Sequence, residues 1–212
     1  MTSIGRIFLD TAVSAAGLLR APELTERWDS PSALAQFQVS GLAGHLAWQI
    51  LAVPGRLGTA TSHGEPITLL EHYTTAPWVG APPQDELNVR LRAFGETTAA
   101  GGPGALADEV DAALAELRAI LPGVRAGDVL TLGAVAPTLT IDDYLSTRVL
   151  ELAVHADDLA VSLGVPTPAL PQPATDLVLA LLARVAARRH GPVAVLRALS
   201  RAERAPATIS AF

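Results

Sequence analysis

Arg148-Val149-Leu150-Glu151-Leu152-Ala153-Val154-His155-Ala156-Asp157-Asp158-Leu159 is apolar almost all the way round when wound as a helix. A helix with so little polar face is usually a buried one. Thr140 stands at its start as an N-cap, Asp142 and Asp143 favour the positive end of the helix dipole, and Leu163-Gly164 closes it. Glu151 and His155 are four residues apart and therefore share one face, one turn apart. A lone carboxylate in such surroundings is costly, so it must be neutralised, paired or bound to a metal. Two readings stand side by side: an ordinary i,i+4 couple, with Arg148 as a further partner for Glu151, or part of a metal site.

Working outward, the same pattern recurs upstream. Ser40 is placed to cap a second helix in which Leu42, His45, Leu46, Gln49, Ile50 and Val53 form one stripe, so His45 points toward the core. A lone histidine there is more often a satisfied core residue. With Glu151 and His155 it makes a two-histidine, one-carboxylate set, the ligand type of catalytic metal sites that keep positions open for water or substrate.

A first helix is expected from a Thr2 or Ser3 cap to just before Pro22, followed by a turn at Trp28-Asp29-Ser30-Pro31. Residues 54–82 are rich in Gly, Pro, Ser and Thr and read as an excursion around a short helix near Leu69 to Tyr73. A third long helix is expected in two pieces, about Asp85 to Phe94 and Ala105 to Leu121, with Gly101-Gly102-Pro103-Gly104 as the linker. Asp128 to Gly133 reads as an extended connector. Beyond Gly164 come a helix from about Asp176 to His190 stopped by Gly191, a short helix over Val193 to Leu199, and a strand or tail from Ala207 to Phe212. Four long helices argue for an up-and-down bundle, with residues 1–165 as the bundle and 166–212 as a short α or α+β extension.

Composition removes whole mechanisms. The chain has 212 residues, half of them hydrophobic, and a net charge of -6, which argues against binding a phosphate backbone. It contains neither lysine nor cysteine. A lysine Schiff base, a Walker-type lysine, a cysteine nucleophile, a cysteine zinc site and disulfides are all excluded. The N-terminal stretch lacks a basic region followed by a long apolar run, and no window reaches the ~18 apolar residues of a spanning helix. The expectation is a soluble, cytoplasmic protein, with monomer and homodimer both open. His63 and His72 fall in the loop-rich stretch, where an exposed imidazole needs no function, and His190 suits a helix C-terminus.

Trp28-Asp29-Ser30-Pro31-Ser32-Ala33-Leu34, Val39-Ser40-Gly41-Leu42-Ala43-Gly44-His45-Leu46 and the stretch from Arg148 to Leu159 together resemble the mycothiol-dependent maleylpyruvate isomerase family of the DinB-like metalloproteins. The resemblance covers roughly residues 5–165. It implies a mainly α, DinB-like four-helix bundle holding a divalent metal, usually zinc, on His45, Glu151 and His155. It also implies mycothiol as a thiol cofactor, and cis-trans isomerisation or thiol transfer on a small electrophilic substrate. Nickel, iron or manganese would suit the same ligands. Arg148 and Asp158 are then candidates to orient Glu151 and His155, and Gln49 to line the cavity on the cofactor side. The family's isomerase has a larger C-terminal domain than the residues available here after Val165. Arg184, Arg188 and Arg189 are the candidates there for holding an anionic substrate. The rival expectation is a DinB-like protein that binds metal or a small ligand without catalysis.

Overall fold

The structure, a computed structural model, describes residues 1–61, 63–77, 82, 84–132 and 137–212. Its helices are α1 (Ser3–Ala16), α2 (Pro22–Glu26), α3 (Val39–Leu57), α4 (Leu69–Thr74), α5 (Glu86–Thr98), α6 (Gly102–Ile120), α7 (Ile141–Leu163), α8 (Gln172–His190) and α9 (Pro192–Ser200), with strands β1 (Val129–Thr131) and β2 (Thr138–Thr140) before α7. The fold is mainly helical, as expected. Helices α1, α3, α6 and α7 pack around one apolar core: α1 lies against α6 and α7, and α3 lies against the same two. Phe8, Leu42, Leu46, Ile50, Leu117, Leu145, Val149 and Leu152 are fully buried there. Each such side chain contributes about 1.5–3 kcal/mol relative to remaining in water.

Caps tie the helix ends together. Thr2 accepts a hydrogen bond from the Gly5 amide and donates one to Asp142, so α1 and α7 start side by side. A cleft of about 510 Å³ lined by Pro54, Leu57, Ile120, Gly123, Asp128 and Ile141 gathers the ends of α3 and α6 at that same end of the bundle. Helices α3 and α6 therefore both finish where α1 and α7 begin. The chain returns between them through α5. The two pieces expected over about 85–94 and 105–121 are α5 and α6; the chain reverses between them at residues 99–101, and both pack on α3. The glycine stretch is less a linker than a start: Gly102 takes φ +85° and α6 begins with it, with Pro103 in its first turn.

Helix α5 packs closely on α3. A Cβ on Gly44 would sit 2.0 Å from the Gly95 carbonyl oxygen, and one on Gly95 would sit 2.4 Å from that of Gly41. Only glycine permits this crossing, and it lies beside His45.

Three local expectations need correction. Helix α3 begins at Val39, one residue before the expected Ser40 cap, and Gln38 at its N-cap makes no side-chain bond. The orphan first-turn amides are satisfied by the preceding loop instead: Val39 donates to the Ser30 carbonyl and Ser40 to that of Trp28. Pro22 stops the first helical run but also opens α2, because its fixed φ suits a first helical position. Helix α8 starts at Gln172 rather than near Asp176.

The extended connector is half of a hairpin. β1 pairs antiparallel with β2, Leu130 opposite Leu139, and Thr61 bridges to Val129 on the other edge. Gly133 of the expected connector lies outside the described residues. Thr140, the last residue of β2, caps α7 by accepting from the Asp143 amide, and Gly164 ends α7 with φ +71°.

Helix α8 packs on α1, α4 and α7. Its Ala174, Val178, Leu181 and Val185 belong to the same continuous core as the bundle. Residues 207–212 form no strand but run back along the fold, with Ala211 buried and the Phe212 ring 5.6 Å from that of Tyr73. Among the described residues no helix is long and apolar enough to cross a membrane.

Candidate metal centre

Tyr144, Arg148, Glu151 and His155 follow one another along one face of α7, at helical spacings of four, three and four. Opposite them, α3 presents His45 and, one turn later, Gln49. The structure brings His45, Glu151 and His155 together: one ligand atom from each lies within 4.8 Å of the others. The two imidazole rings stand edge to face with centroids 4.5 Å apart. His155 Nε2 is 3.3 Å from Glu151 Oε2, with the two side chains only 15% and 20% exposed. This is no surface i,i+4 couple, and Arg148 is not the partner of Glu151.

The residues expected around the triad are also in place. Asp158 Oδ2 lies 3.0 Å from His155 Nδ1 and orients that ring. Gln49, 2% exposed, donates from Nε2 to the His45 carbonyl at 3.0 Å and accepts from Arg148 Nη1 at Oε1. A guanidinium can only donate, so Arg148 fixes the orientation of the Gln49 amide. Its NH₂ group then faces His45 Nε2 at 3.4 Å. His45 Nδ1, by contrast, is buried with no hydrogen-bond partner.

The electrostatics share one logic. Burial pushes the Glu151 carboxyl up, but the hydrogen bond and charge of His155, helped by Arg148 and His45, overcome it and hold the group at about 2. Burial pushes His155 down, but Asp158 and Glu151 on its two nitrogens raise it to about 9. His45 is lowered to about 4, first by burial and then by the positive charge of His155. The cluster is thus built for one positive charge held between Glu151, Asp158 and His45. The His155 proton supplies it, and a divalent cation would satisfy the same demand. The orphaned His45 nitrogen and the borderline-to-hard donor set of two imidazoles and a carboxylate fit such an ion.

Two residues near the site escaped the sequence reading. His72 was expected exposed; it is 5% exposed on α4, and burial followed by the charge of Arg148 lowers its pKa. Tyr73 beside it is fully buried, its hydroxyl directed to the Thr147 carbonyl at 3.5 Å. The signal available was Thr68-Leu69-Leu70-Glu71, a capping box that fixes the start of α4 and so the face it buries. His63 is exposed. His190 does more than favour a helix end: its Nε2 lies 2.7 Å from the Ser210 carbonyl and ties down the C-terminal residues. The structure does not bring the three C-terminal arginines to the triad as a group. Arg184 and Arg188 line a separate cleft of about 390 Å³ with Leu70, Ala187 and Pro192, and Arg189 donates to the Ala211 carbonyl.

Fold and site together define a mainly helical bundle carrying a two-histidine, one-carboxylate cluster of metal-ligating type. The chain belongs to the family described as mycothiol maleylpyruvate isomerase N-terminal domain, which it matches over residues 9–160. That span contains His45, Gln49, Arg148, Glu151, His155 and Asp158. A solved structure described as the mycothiol-dependent maleylpyruvate isomerase has a similar fold, with a TM-score of 0.51 at 19% identity over 86% of this chain and 71% of that one. No curated protein matches the chain.

Proposed function

We propose that this protein is a divalent-metal enzyme, with zinc as the first candidate ion, that uses a low-molecular-weight thiol of the mycothiol type on a small electrophilic substrate. The observation that carries this reading is the meeting of His45, Glu151 and His155 from two helices at one partly buried point. Family membership supports the thiol and the isomerase chemistry, and thiol transfer is the alternative use of the same nucleophile. The ion would hold an incoming thiol in its ionised form near neutral pH, as a nucleophile able to add to and leave an electron-poor carbon.

The chain's own residues perform the positioning. Glu151, His45 and His155 hold the ion, and Asp158 holds the His155 ring with its Nε2 turned to the centre. Gln49, pinned by Arg148, fixes His45 through its backbone carbonyl. The fully buried Leu42, Leu46, Val149 and Leu152 on the same two helices keep bulk water from the inner side. With no cysteine in the chain, the thiol has to come from outside. In this reading residues 1–165 carry the site, 166–212 brace it through α8, and the protein works in the cytoplasm.

Calorimetric titration of metal-loaded protein with mycothiol tests the proposal. Binding that requires the metal and is lost in His155→Ala is expected. Metal binding without any thiol binding would reduce the protein to a metal- or ligand-binding bundle.

A further inference from the structure

Charge is unevenly divided along the chain. Residues 166–212 carry six arginines against Asp176 and Glu203, whereas residues 1–165 carry nineteen acids against nine arginines. The C-terminal segment is a basic face on an acidic protein, and such a face draws anions. Its two acids are engaged locally: Asp176 accepts from Gln172, and Glu203 lies beside Arg204.

Within that segment Arg184 and Arg188 stand apart from the other cations. Arg189 donates to the Ala211 carbonyl and Arg201 to that of Ser200. Arg184 and Arg188 are exposed and make no hydrogen bond or ion pair with any described residue. They lie four residues apart on α8, hence on one face with Cβ atoms about 5–6 Å apart. Both line the open cleft of about 390 Å³ whose remaining wall is apolar: Leu70 of α4, Ala187 and Pro192. Glu71 senses the charge of Arg188 but forms no ion pair with it, because its carboxylate accepts from the Thr68 amide and hydroxyl that cap α4.

Two uncommitted guanidinium groups beside one apolar wall select among anions. A carboxylate has two oxygens and is filled by a single guanidinium fork. A phosphomonoester carries about -1.5 to -2 charge at pH 7 on three acceptor oxygens, enough to meet two forks at once. We propose that Arg184 and Arg188 form a binding site for a phosphomonoester, its phosphate held between the two guanidinium groups and its organic part laid against Leu70, Ala187 and Pro192. None of His45, Glu151 and His155 lines this cleft, so the site is separate from the metal centre. Leu70 belongs to α4 and the arginines to α8, so an occupant joins the two helices.

Phenyl phosphate, titrated calorimetrically at low ionic strength into metal-free and zinc-loaded protein, tests the site, with benzoate as the carboxylate counterpart. Phenyl phosphate is expected to bind equally in both forms and benzoate several-fold more weakly. Arg184→Gln and Arg188→Gln should each bind phenyl phosphate about 10-fold more weakly, the lower end for hydrogen bonds to a charged group because the cleft is open. The double variant should not bind it. Arg197→Gln/Arg201→Gln removes the same charge elsewhere on the basic segment and should bind as wild type does. No binding to wild type, binding that requires zinc, undiminished binding by the Arg184/Arg188 double variant, or an equal loss in the Arg197/Arg201 variant overturns the site. A soluble compound and a lipid headgroup present the same phosphate chemistry, and sedimentation with vesicles separates them. Sedimentation with phosphatidic acid but not phosphatidylcholine vesicles, lost in the Arg184/Arg188 double variant, assigns the phosphate to a headgroup. Phenyl phosphate binding without sedimentation assigns it to a soluble compound, and both results uphold the site.

Discussion

Replacing Gly44 by alanine puts the account of how His45 is positioned under direct strain. The new Cβ would lie 2.0 Å from the Gly95 carbonyl oxygen and 3.0 Å from its carbon. The obstacle is backbone, so α3 and α5 must separate by about 1 Å to reach even the 3.0 Å that real Cβ contacts respect. Overpacking costs about 1–3 kcal/mol, and a rigid neighbour places this case near the top of that range. Alanine recovers about 1 kcal/mol in a helix interior relative to glycine. The net loss is about 2 kcal/mol, or a melting temperature lowered by about 4–8 °C for a chain of this size. Gly55→Ala is the control, on the same helix with nothing within 4 Å of the added atom. It should gain about 1 kcal/mol and melt about 2–4 °C higher. Thermal denaturation followed by circular dichroism reads both. A Gly44→Ala protein that melts at or above wild type would refute the close α3–α5 crossing.

Other consequences are measurable in the same way. Asp158→Asn removes the carboxylate that orients His155 and should weaken metal affinity about 10- to 100-fold, measured by competition with a chelator; unchanged affinity would show that Asp158 plays no part. Without metal, the site makes stability depend on pH with a definite sign. His155, raised from 6.5 to about 9, contributes stability that is complete below pH 6.5 and lost as pH rises through about 9. Glu151, lowered from 4.5 to about 2, contributes above pH 4.5 and loses its share as pH falls toward about 2, while His45, lowered to about 4, opposes folding as pH falls from 6.5 to about 4. Denaturant titrations of wild type and His155→Gln across pH 6–10 should therefore converge as pH rises; a constant difference would contradict the His155 shift. Metal affinity should strengthen over that interval, because the ion replaces the His155 proton. Gly164→Ala forces a β-carbon into φ +71° and should cost about 1–2 kcal/mol, visible as a lower melting temperature.

Where local chemistry decides an element, the sequence announces it. Helix α7 could be read from end to end because Thr140 caps it, Asp142 and Asp143 sit at its positive pole, and Gly164 takes the left-handed conformation that stops it. The pairing of Glu151 with His155 was legible for the same reason, since four residues on a helix is a local distance. Convergence with His45 is not local. It needed the apolar stripe on α3 and the family resemblance to suggest it, and it depends on the packing of α3 against α7, two helices about a hundred residues apart whose closeness no single stretch encodes. Long-range substitutes also hid the start of α3, where loop carbonyls from Trp28 and Ser30 do the work of a cap. The same holds for the hairpin, because the pairing of Val129–Thr131 with Thr138–Thr140 is a tertiary choice for a short β-branched run. His72 looked exposed because it falls in a loop-rich stretch, yet α4 docks on α7 and α8 and buries it.

The metal centre itself is tested most directly by elemental analysis of protein purified without chelators or a histidine tag, compared among wild type, His45→Ala, Glu151→Ala and His155→Ala. One divalent ion per chain in wild type, falling to a small fraction in each variant, is the expected result. Wild-type protein that takes up no divalent ion even on reconstitution, or variants that retain it undiminished, would contradict the assignment of His45, Glu151 and His155 as its ligands.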